Sequence, residues 1–303
     1  MHLRWQLKLF LVRTPWHCPW DPRQRYRRTL QVELHQNGDL FGLGEIAPLP
    51  GFSQESLTDC YHAFCVWLTD KSRPLPPAVA WARQCALKPF PGILPIPVSY
   101  PLLQGFEAQI LNKLQHWSGP IFRAKLKVAR QPLAADIALI KKIVALKPQI
   151  QLRLDANQRW TRQESLTFCR AIPMSSVEYL EQPCADIGDC QALAVCGYPI
   201  ALDESLYQAS HLPDYFPGLK ALVLKPTLLG ERLTPLLKMA AHYQLGISIS
   251  SSYETAAGLS HLVQLAQATG DRHPGLDTLG ALTGPSQRRL LKYIGTEQNP
   301  LLD

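Results

Sequence analysis

The sequence predicts an α/β protein in which a smaller N-terminal α+β segment precedes a repeating series of strands and helices. Three observations carry that prediction. From about residue 93 onward, short β-rich runs alternate strictly with amphipathic helical runs. Prolines crowd between Pro74 and Pro101, where the pattern changes. The chain has 303 residues, 46% hydrophobic and 18% charged, which suits one or two folded domains with a large core.

The opening run LRWQLKLFLV reads as a first strand, because Arg4, Gln6 and Lys8 interrupt its apolar character and no small-residue cleavage site follows. A basic loop with Arg23, Arg25, Arg27 and Arg28 leads into TLQVELHQNGDLFGLGEIAPLP, where Asn37-Gly38-Asp39 between alternating strands signals a hairpin. SQESLTDCYHAFCVWL then reads as a helix, and KPFPGILPIPVSYPL marks the junction that closes a first domain over 1–92. The strands that follow are IPVSYPL, FRAKLKV, IQLRLDAN, VEYLEQP, PIALDES, ALVLKPT, GISISSS and GLDTL, eight in all with seven helices between them. Such alternation implies parallel strands joined by right-handed crossovers, hence a barrel or an open doubly wound sheet. No Gly-rich phosphate loop follows the first of these strands, which counts against a nucleotide-binding open sheet. The repeat is expected over 93–284, and the tail 285–303, too short for another unit, is expected to return to the N-terminal domain.

Composition narrows the function. There is no run of 18 apolar residues, so a membrane span is not expected and the protein reads as cytoplasmic. Eight cysteines lie scattered without a C-x-x-C pair, which favours buried free thiols over zinc or redox chemistry. The net charge of +7 and the arginine loop would suit nucleic acid, yet no zinc-finger, helix-turn-helix or RNA-binding signature accompanies them. A basic loop serves an anionic small molecule equally well, and Arg25 to Arg28 are either plain surface charge or a loop that closes over such a substrate.

Each apolar strand ends in an ionisable or hydroxyl group: Lys125 and Lys127, Asp155, Glu181, Asp203, Lys225, Ser250 to Ser252, then Asp277. From Lys127 to Lys225 the intervals run between 22 and 28 residues, about one strand, one helix and two loops, so successive members fall on neighbouring strands. In a barrel all these strand ends face one mouth. Residues two apart share a face, which pairs Lys125 with Lys127 and Arg153 with Asp155, whereas Asp203 and Glu204 point to different sides. Three carboxylates with no His or Cys form an oxygen-only donor set that a hard cation prefers, Mg²⁺ with Mn²⁺ as a substitute. Without a cation they would repel one another and raise each other's pKa. A lysine beside them becomes a base only if its pKa falls from about 10.4 to roughly 7–8. Desolvation, a second ammonium and a divalent cation all push that way. The combination implies removal of a proton from carbon next to a carboxylate, with the cation holding the charge of the enediolate.

Taken singly, each feature has a plainer explanation. A K-x-K at a strand end is commonly solvated, D-A-N and E-Q-P commonly stop a strand, S-S-S is commonly a loop, and Arg153 is commonly a structural ion-pair partner. Independent explanations would have to coincide in order and spacing over six successive strands.

FRAKLKV, LRLDANQRW, YLEQP, ALDES and LVLKP, in this order, resemble the signature of the enolase superfamily, in its muconate lactonising enzyme subgroup. GLGEIAPLPGFSQES resembles the segment by which that family's capping domain reaches the site, so the resemblance spans nearly the whole chain. PLPGFSQE, SISSSYETAAGLSHL and GLDTL are most similar to the subgroup's o-succinylbenzoate synthase family. The resemblance implies a (β/α)7β TIM-like barrel with an N-terminal α+β capping domain completed by the C-terminal tail. It implies Mg²⁺ on Asp155, Glu181 and Asp203, Lys127 as the base that then assists departure of a hydroxyl, Lys225 on the opposite face, and Lys125 tuning Lys127. The implied reaction is syn dehydration of 2-succinyl-6-hydroxy-2,4-cyclohexadiene-1-carboxylate to o-succinylbenzoate, toward menaquinone or phylloquinone. Arg153, Asn157, Ser250, Ser251 and Ser252 are the expected substrate-binding residues, the serines meeting the succinyl carboxylate through hydroxyl or backbone N–H groups. The expected partner is a small dicarboxylate, not nucleic acid or membrane. Racemisation of N-succinyl amino acids or dipeptide epimerisation on the same scaffold would use the same lysines and is the nearest rival. A His base at the seventh strand, as in mandelate-racemase-like relatives, is absent from SISSSYET.

Overall fold

The structure is a computed structural model that describes residues 4–117 and 123–302. Phe122, the start of one expected strand, lies outside the described residues. The chain begins with β1 (Trp5–Pro15), β2 (Tyr26–Gln36), β3 (Asp39–Ile46), α1 (Leu57–Trp67) and α2 (Pro77–Ala86). It continues through β4 (Leu102–Leu103), α3 (Glu107–Gln115), β5 (Arg123–Lys127), α4 (Leu133–Leu146), β6 (Gln151–Asp155), α5 (Arg162–Ala171), β7 (Val177–Glu181) and α6 (Ile187–Val195). The remainder is β8 (Ile200–Leu202), α7 (Ser205–Gln208), β9 (Leu219–Leu224), α8 (Pro226–Leu229), α9 (Leu233–Tyr243), β10 (Gly246–Ile249), α10 (Ala256–Thr269) and β11 (Gln287–Thr296). By compactness it divides into two units: Met1–Ser99 with Leu224–Thr234 and Ile249–Asp303, and Tyr100–Val223 with Pro235–Ser248.

The first unit is built on an antiparallel sheet in the order β11-β1-β2-β3. Asn37 and Gly38 both adopt positive φ, 53° and 98°, the conformation that a two-residue hairpin between β2 and β3 demands. Leu7, Leu9, Leu30, Val32 and Leu34 present one apolar layer, against which Phe64 and Trp67 of α1 and Ala78, Ala82 and Ala86 of α2 pack. The approach of α2 to β3 requires Gly42 and Gly44, since a Cβ at either would run into the carbonyl oxygen of Ala86 or Ala82. Helix α1 starts on a capping box, with Ser56 and Asp59 each accepting the other's backbone N–H. Pro77 opens α2 where a missing N–H is harmless. The tail strand β11 pairs antiparallel with β1.

The second sheet is parallel, in the order β10-β9-β8-β7-β6-β5-β4, with helices in the crossovers, a curled barrel-type sheet. Ala124, Leu126, Leu152, Leu154, Leu180 and Leu222 form one buried apolar face of this sheet. Tyr179, Ala201 and Ala221 pack together.

Two expected strands are shorter than the sequence suggested. IPVSYPL contributes only Leu102 and Leu103, because Pro95, Pro97 and Pro101 cannot donate to a ladder. GLDTL contributes a single parallel bridge, Gly275 to Ser250, bounded by Pro274 on one side and by a turn closed from Thr278 N–H to Leu276 O on the other. No described helix is long and apolar enough to cross a membrane. All eight cysteines are free, six of them buried.

Candidate active site

Strand register sets the chemistry. Lys127 stands opposite Asp155, Asp155 opposite Glu181, and Glu181 opposite Ala201. Asp203, two residues beyond Ala201, shares that face. The Lys127 ammonium lies 2.5 Å from Asp155 Oδ2 and donates to Asn157 Oδ1 at 2.8 Å. The Lys125 ammonium lies 2.8 Å from Asp155 Oδ2 and 2.7 and 2.8 Å from the two Glu181 oxygens. Asp155, Glu181 and Asp203 are each 1% exposed, so their charges are screened little by water.

The acids outnumber the ammonium groups, and the pKa directions follow. Burial alone would raise Asp155, but Lys125 and Lys127 outweigh it and hold the carboxyl well below the usual range. Glu181 is pushed up to about 7 by burial and by the charges of Asp155 and Asp203, which Lys125 and Lys127 offset only in part. Burial disfavours the Lys125 charge, yet Asp155 and Glu181 push its pKa well above normal. Burial raises the Tyr207 hydroxyl, and the nearby charges of Asp203, Glu204, Asp155 and Glu181 raise it further.

Sequence reading missed the supports around this cluster. Gln182, fully buried at φ 39°, accepts the N–H groups of Asp203 and Ser205 on Oε1, both at 3.1 Å, and donates to Ser205 Oγ at 2.6 Å and Cys184 O at 3.0 Å. It ties the end of β7 to the end of β8, a task hidden in an E-Q-P run that reads as a strand stop. Asn157, expected to meet substrate, has its amide occupied: it accepts from Lys127 and donates to Glu204 Oε1 at 3.0 Å. Glu204 is buried as well as Asp203 and accepts from Asn157.

Three further expectations need correction. Arg153, expected at the substrate, is gripped by Glu178, with Nε and Nη2 each 3.1 Å from a carboxylate oxygen. It lines a cavity with Lys220 of β9 and Gly246 and Ser248 of β10. The serine stretch belongs to the first unit with Lys225. Its backbone N–H groups are already engaged, Ser250 by Leu224 O, Ser251 by Gly275 O and Ser252 by Glu254 Oε2, so they are not open to a ligand. Ser251 also bonds Thr278, and Ser252 is fully buried, which leaves the half-buried Ser250 hydroxyl. Finally, Arg27 does not belong to a closing basic loop: it is 1% exposed and donates to four backbone carbonyls.

The acids were expected to gather directly around a metal. Among the described residues no group of three carboxylate, imidazole or thiol side chains is arranged that way. The Lys125 ammonium bridges Asp155 and Glu181 instead. The donor set still fits a hard cation, because it is all oxygen and buried, and Glu181 lacks full charge compensation.

Comparison with known proteins now bears on this geometry. The family description "Enolase C-terminal domain-like" matches residues 114–292, and "MenC, N-terminal domain" matches residues 21–89. An o-succinylbenzoate synthase of Enterobacter sp. (strain 638) is 36% identical over 303 residues, covering 93% of this chain and 94% of that protein. One from Salmonella dublin is 35% identical, covering 86% and 85%. The solved o-succinylbenzoate synthase of Thermosynechococcus elongatus BP-1, complexed with Mg in its active site, has a TM-score of 0.70 at 27% identity, covering 93% of this chain and 95% of that one. Matched along both parts of its length, the chain belongs to the o-succinylbenzoate synthase family of the enolase superfamily.

Proposed function

We propose that this protein dehydrates 2-succinyl-6-hydroxy-2,4-cyclohexadiene-1-carboxylate to o-succinylbenzoate, with Lys127 as the proton-transferring group and Mg²⁺ held by Asp155, Glu181 and Asp203. The observation that carries the reading is the Lys127 ammonium, held between Asp155 and Asn157 beside three buried acids, in a chain of this family.

Lys127, as a neutral amine, takes the proton from the carbon bearing the ring carboxylate, and the C–H electron pair moves into an enediolate. The electrons then return to form the ring double bond and expel the hydroxyl, to which the Lys127 ammonium gives its proton, so water leaves. One lysine serves both transfers when hydrogen and hydroxyl leave from one face. Asn157 fixes the direction of the lysine, and Lys125 compensates Asp155 and Glu181. Lys225 belongs to the first unit, and its role as a second cation follows from the family resemblance alone. When bound, Mg²⁺ supplies the Lewis-acid charge that the developing dianion needs.

Purified protein given the cyclohexadiene substrate should form o-succinylbenzoate in the presence of Mg²⁺ and cease on chelation. Product formation unaffected by chelator would remove the metal from the proposal. Faster exchange of the α-proton of N-succinyl amino acids in D₂O would transfer the assignment to racemisation.

Glu181 gives this reading a pH signature. Its folded pKa of about 7 lies above the ordinary 4.5, so its contribution to the metal-free fold is full below 4.5 and lost as pH rises through about 7. Cation binding must displace that proton. Mg²⁺ affinity is therefore expected to rise between about pH 5.5 and pH 8 with proton release near pH 6, read by calorimetry in buffers of different ionisation enthalpy. Binding without proton release near pH 6 would remove Glu181 from the ligand set.

A further inference from the structure

Lys127 is held by more than its ion pair. Its ammonium donates to Asn157 Oδ1 at 2.8 Å, and the amide nitrogen of Asn157 donates in turn to Glu204 Oε1 at 3.0 Å. All three residues belong to the second unit, at or just beyond the ends of β5, β6 and β8. Both partners of the lysine are anchored through their backbones. The Asn157 N–H donates to Asp155 Oδ1 at 3.1 Å, and Glu204 leads into α7, its carbonyl accepting the Gln208 N–H at 2.9 Å. A parallel link runs from Gln158 Nε2 to Gln208 Oε1 at 3.0 Å.

Packing does not account for Glu204. It is 4% exposed, and with Asp155, Glu181 and Asp203 it is one of four acids whose charges raise the Tyr207 hydroxyl. Its Oε2 is buried and has no hydrogen-bond partner among the described residues. A buried carboxylate with so little compensation costs stability. The amide that it holds gives it a use. An ammonium only donates and a carboxylate only accepts, so Asn157 between them can sit one way only, oxygen to Lys127 and nitrogen to Glu204. That direction matters in the amine form that takes the substrate proton. Facing the amide oxygen, the amine donates one N–H and keeps its lone pair for the substrate. Facing the amide nitrogen, it would accept an N–H on that lone pair.

We propose that Glu204 is a positioning residue for Lys127: through Asn157 it fixes the direction of the amide and so keeps the lone pair of the base open, a role that rests on the activity proposed above.

Glu204→Met, close in length and without an acceptor oxygen, is expected to lower kcat at saturating Mg²⁺ about tenfold with KM within about twofold, the size of effect seen when the partner behind a site residue is removed. Glu204→Gln, which can still accept from Asn157, should return kcat to within about threefold of the parent. Calorimetric titration should show Mg²⁺ binding to the two variants within about threefold of each other, since neither keeps the charge, whereas a metal ligand would need the oxygen that Met lacks. Metal-free Glu204→Met should melt at or above the parent temperature, the reverse of what a structural carboxylate would show. The chain has four asparagines, so asparagine-labelled, metal-free protein gives four side-chain amide signals, and the one absent from Asn157→Asp identifies Asn157. One of its protons should stand downfield of the other three residues' signals, as an N–H bonded to a carboxylate does, and fall back among them in Glu204→Met. A parent without that displacement, or Glu204→Gln as slow as Glu204→Met, would overturn the proposal. So would Mg²⁺ binding about tenfold weaker in Glu204→Met than in Glu204→Gln, or a Glu204→Met that melts lower or fails to fold. A parent protein that forms no product overturns the activity instead, while the Asn157 signal still tests the link to Glu204.

Discussion

A Lys127→Ala variant is expected to lose about 10⁴-fold in kcat, the upper end for a positioned acid–base group, because one side chain would serve both proton transfers. Mg²⁺ should bind it at least as tightly as the parent. The Lys127 ammonium now lies 2.5 Å from Asp155 Oδ2, where it competes with any cation for that carboxylate, so its removal frees a ligand. Single-turnover kinetics with calorimetric Mg²⁺ titration separates the two effects. Retained turnover would exclude Lys127 as the base, and lost Mg²⁺ binding would show that the variant damages the site itself. Lys127→Arg should behave as the alanine variant does, since a guanidinium stays protonated and cannot accept the substrate proton.

The acids and lysines were legible because each side chain closes a buried strand and the strands recur at a steady interval. Lys127, Asp155 and Glu181 fall into lateral register for that reason alone. Arg27 was not legible, standing in a run of arginines that looks like any solvated loop. A signal was present nonetheless. Thr29, Gln31 and Glu33 alternate with Leu30, Val32 and Leu34 along β2, Arg27 is in phase with them, and all four polar residues are buried, so that polar face had to meet a polar partner. Gln182 had only the strand-stop reading of E-Q-P and Asn157 was expected at the substrate; both adopt positive φ, and their side-chain bonds run to residues distant in sequence. The short eighth strand was overestimated because periodicity weighs Leu276 and Leu279 and ignores that Pro274 withholds a donor.

Asp155→Asn should remove Mg²⁺ binding and activity together and also destabilise the metal-free protein by about 3 kcal/mol at pH 7, the cost of breaking a buried ion pair. Two ammonium groups depend on this one carboxylate, at 2.5 and 2.8 Å. Lys125 would keep Glu181, but Lys127 would retain only Asn157 and the new amide. The cost stays at the low end of the range because the two lysine side chains are 27% and 18% exposed and water can follow them. Loss of the Asp155 charge also relieves Glu181, whose pKa should fall from about 7 toward its ordinary value. Since Asp155 titrates below its normal 3.8 in the fold, its stabilisation is present above that pH and disappears as pH falls through the depressed value. Denaturant midpoints of parent and variant, compared without metal, should therefore differ most at neutral pH and converge in acid. A gap that persists in acid would mean that packing, and not the ion pair, makes Asp155 indispensable. A variant as stable as the parent at pH 7 would mean that water already compensates both lysines.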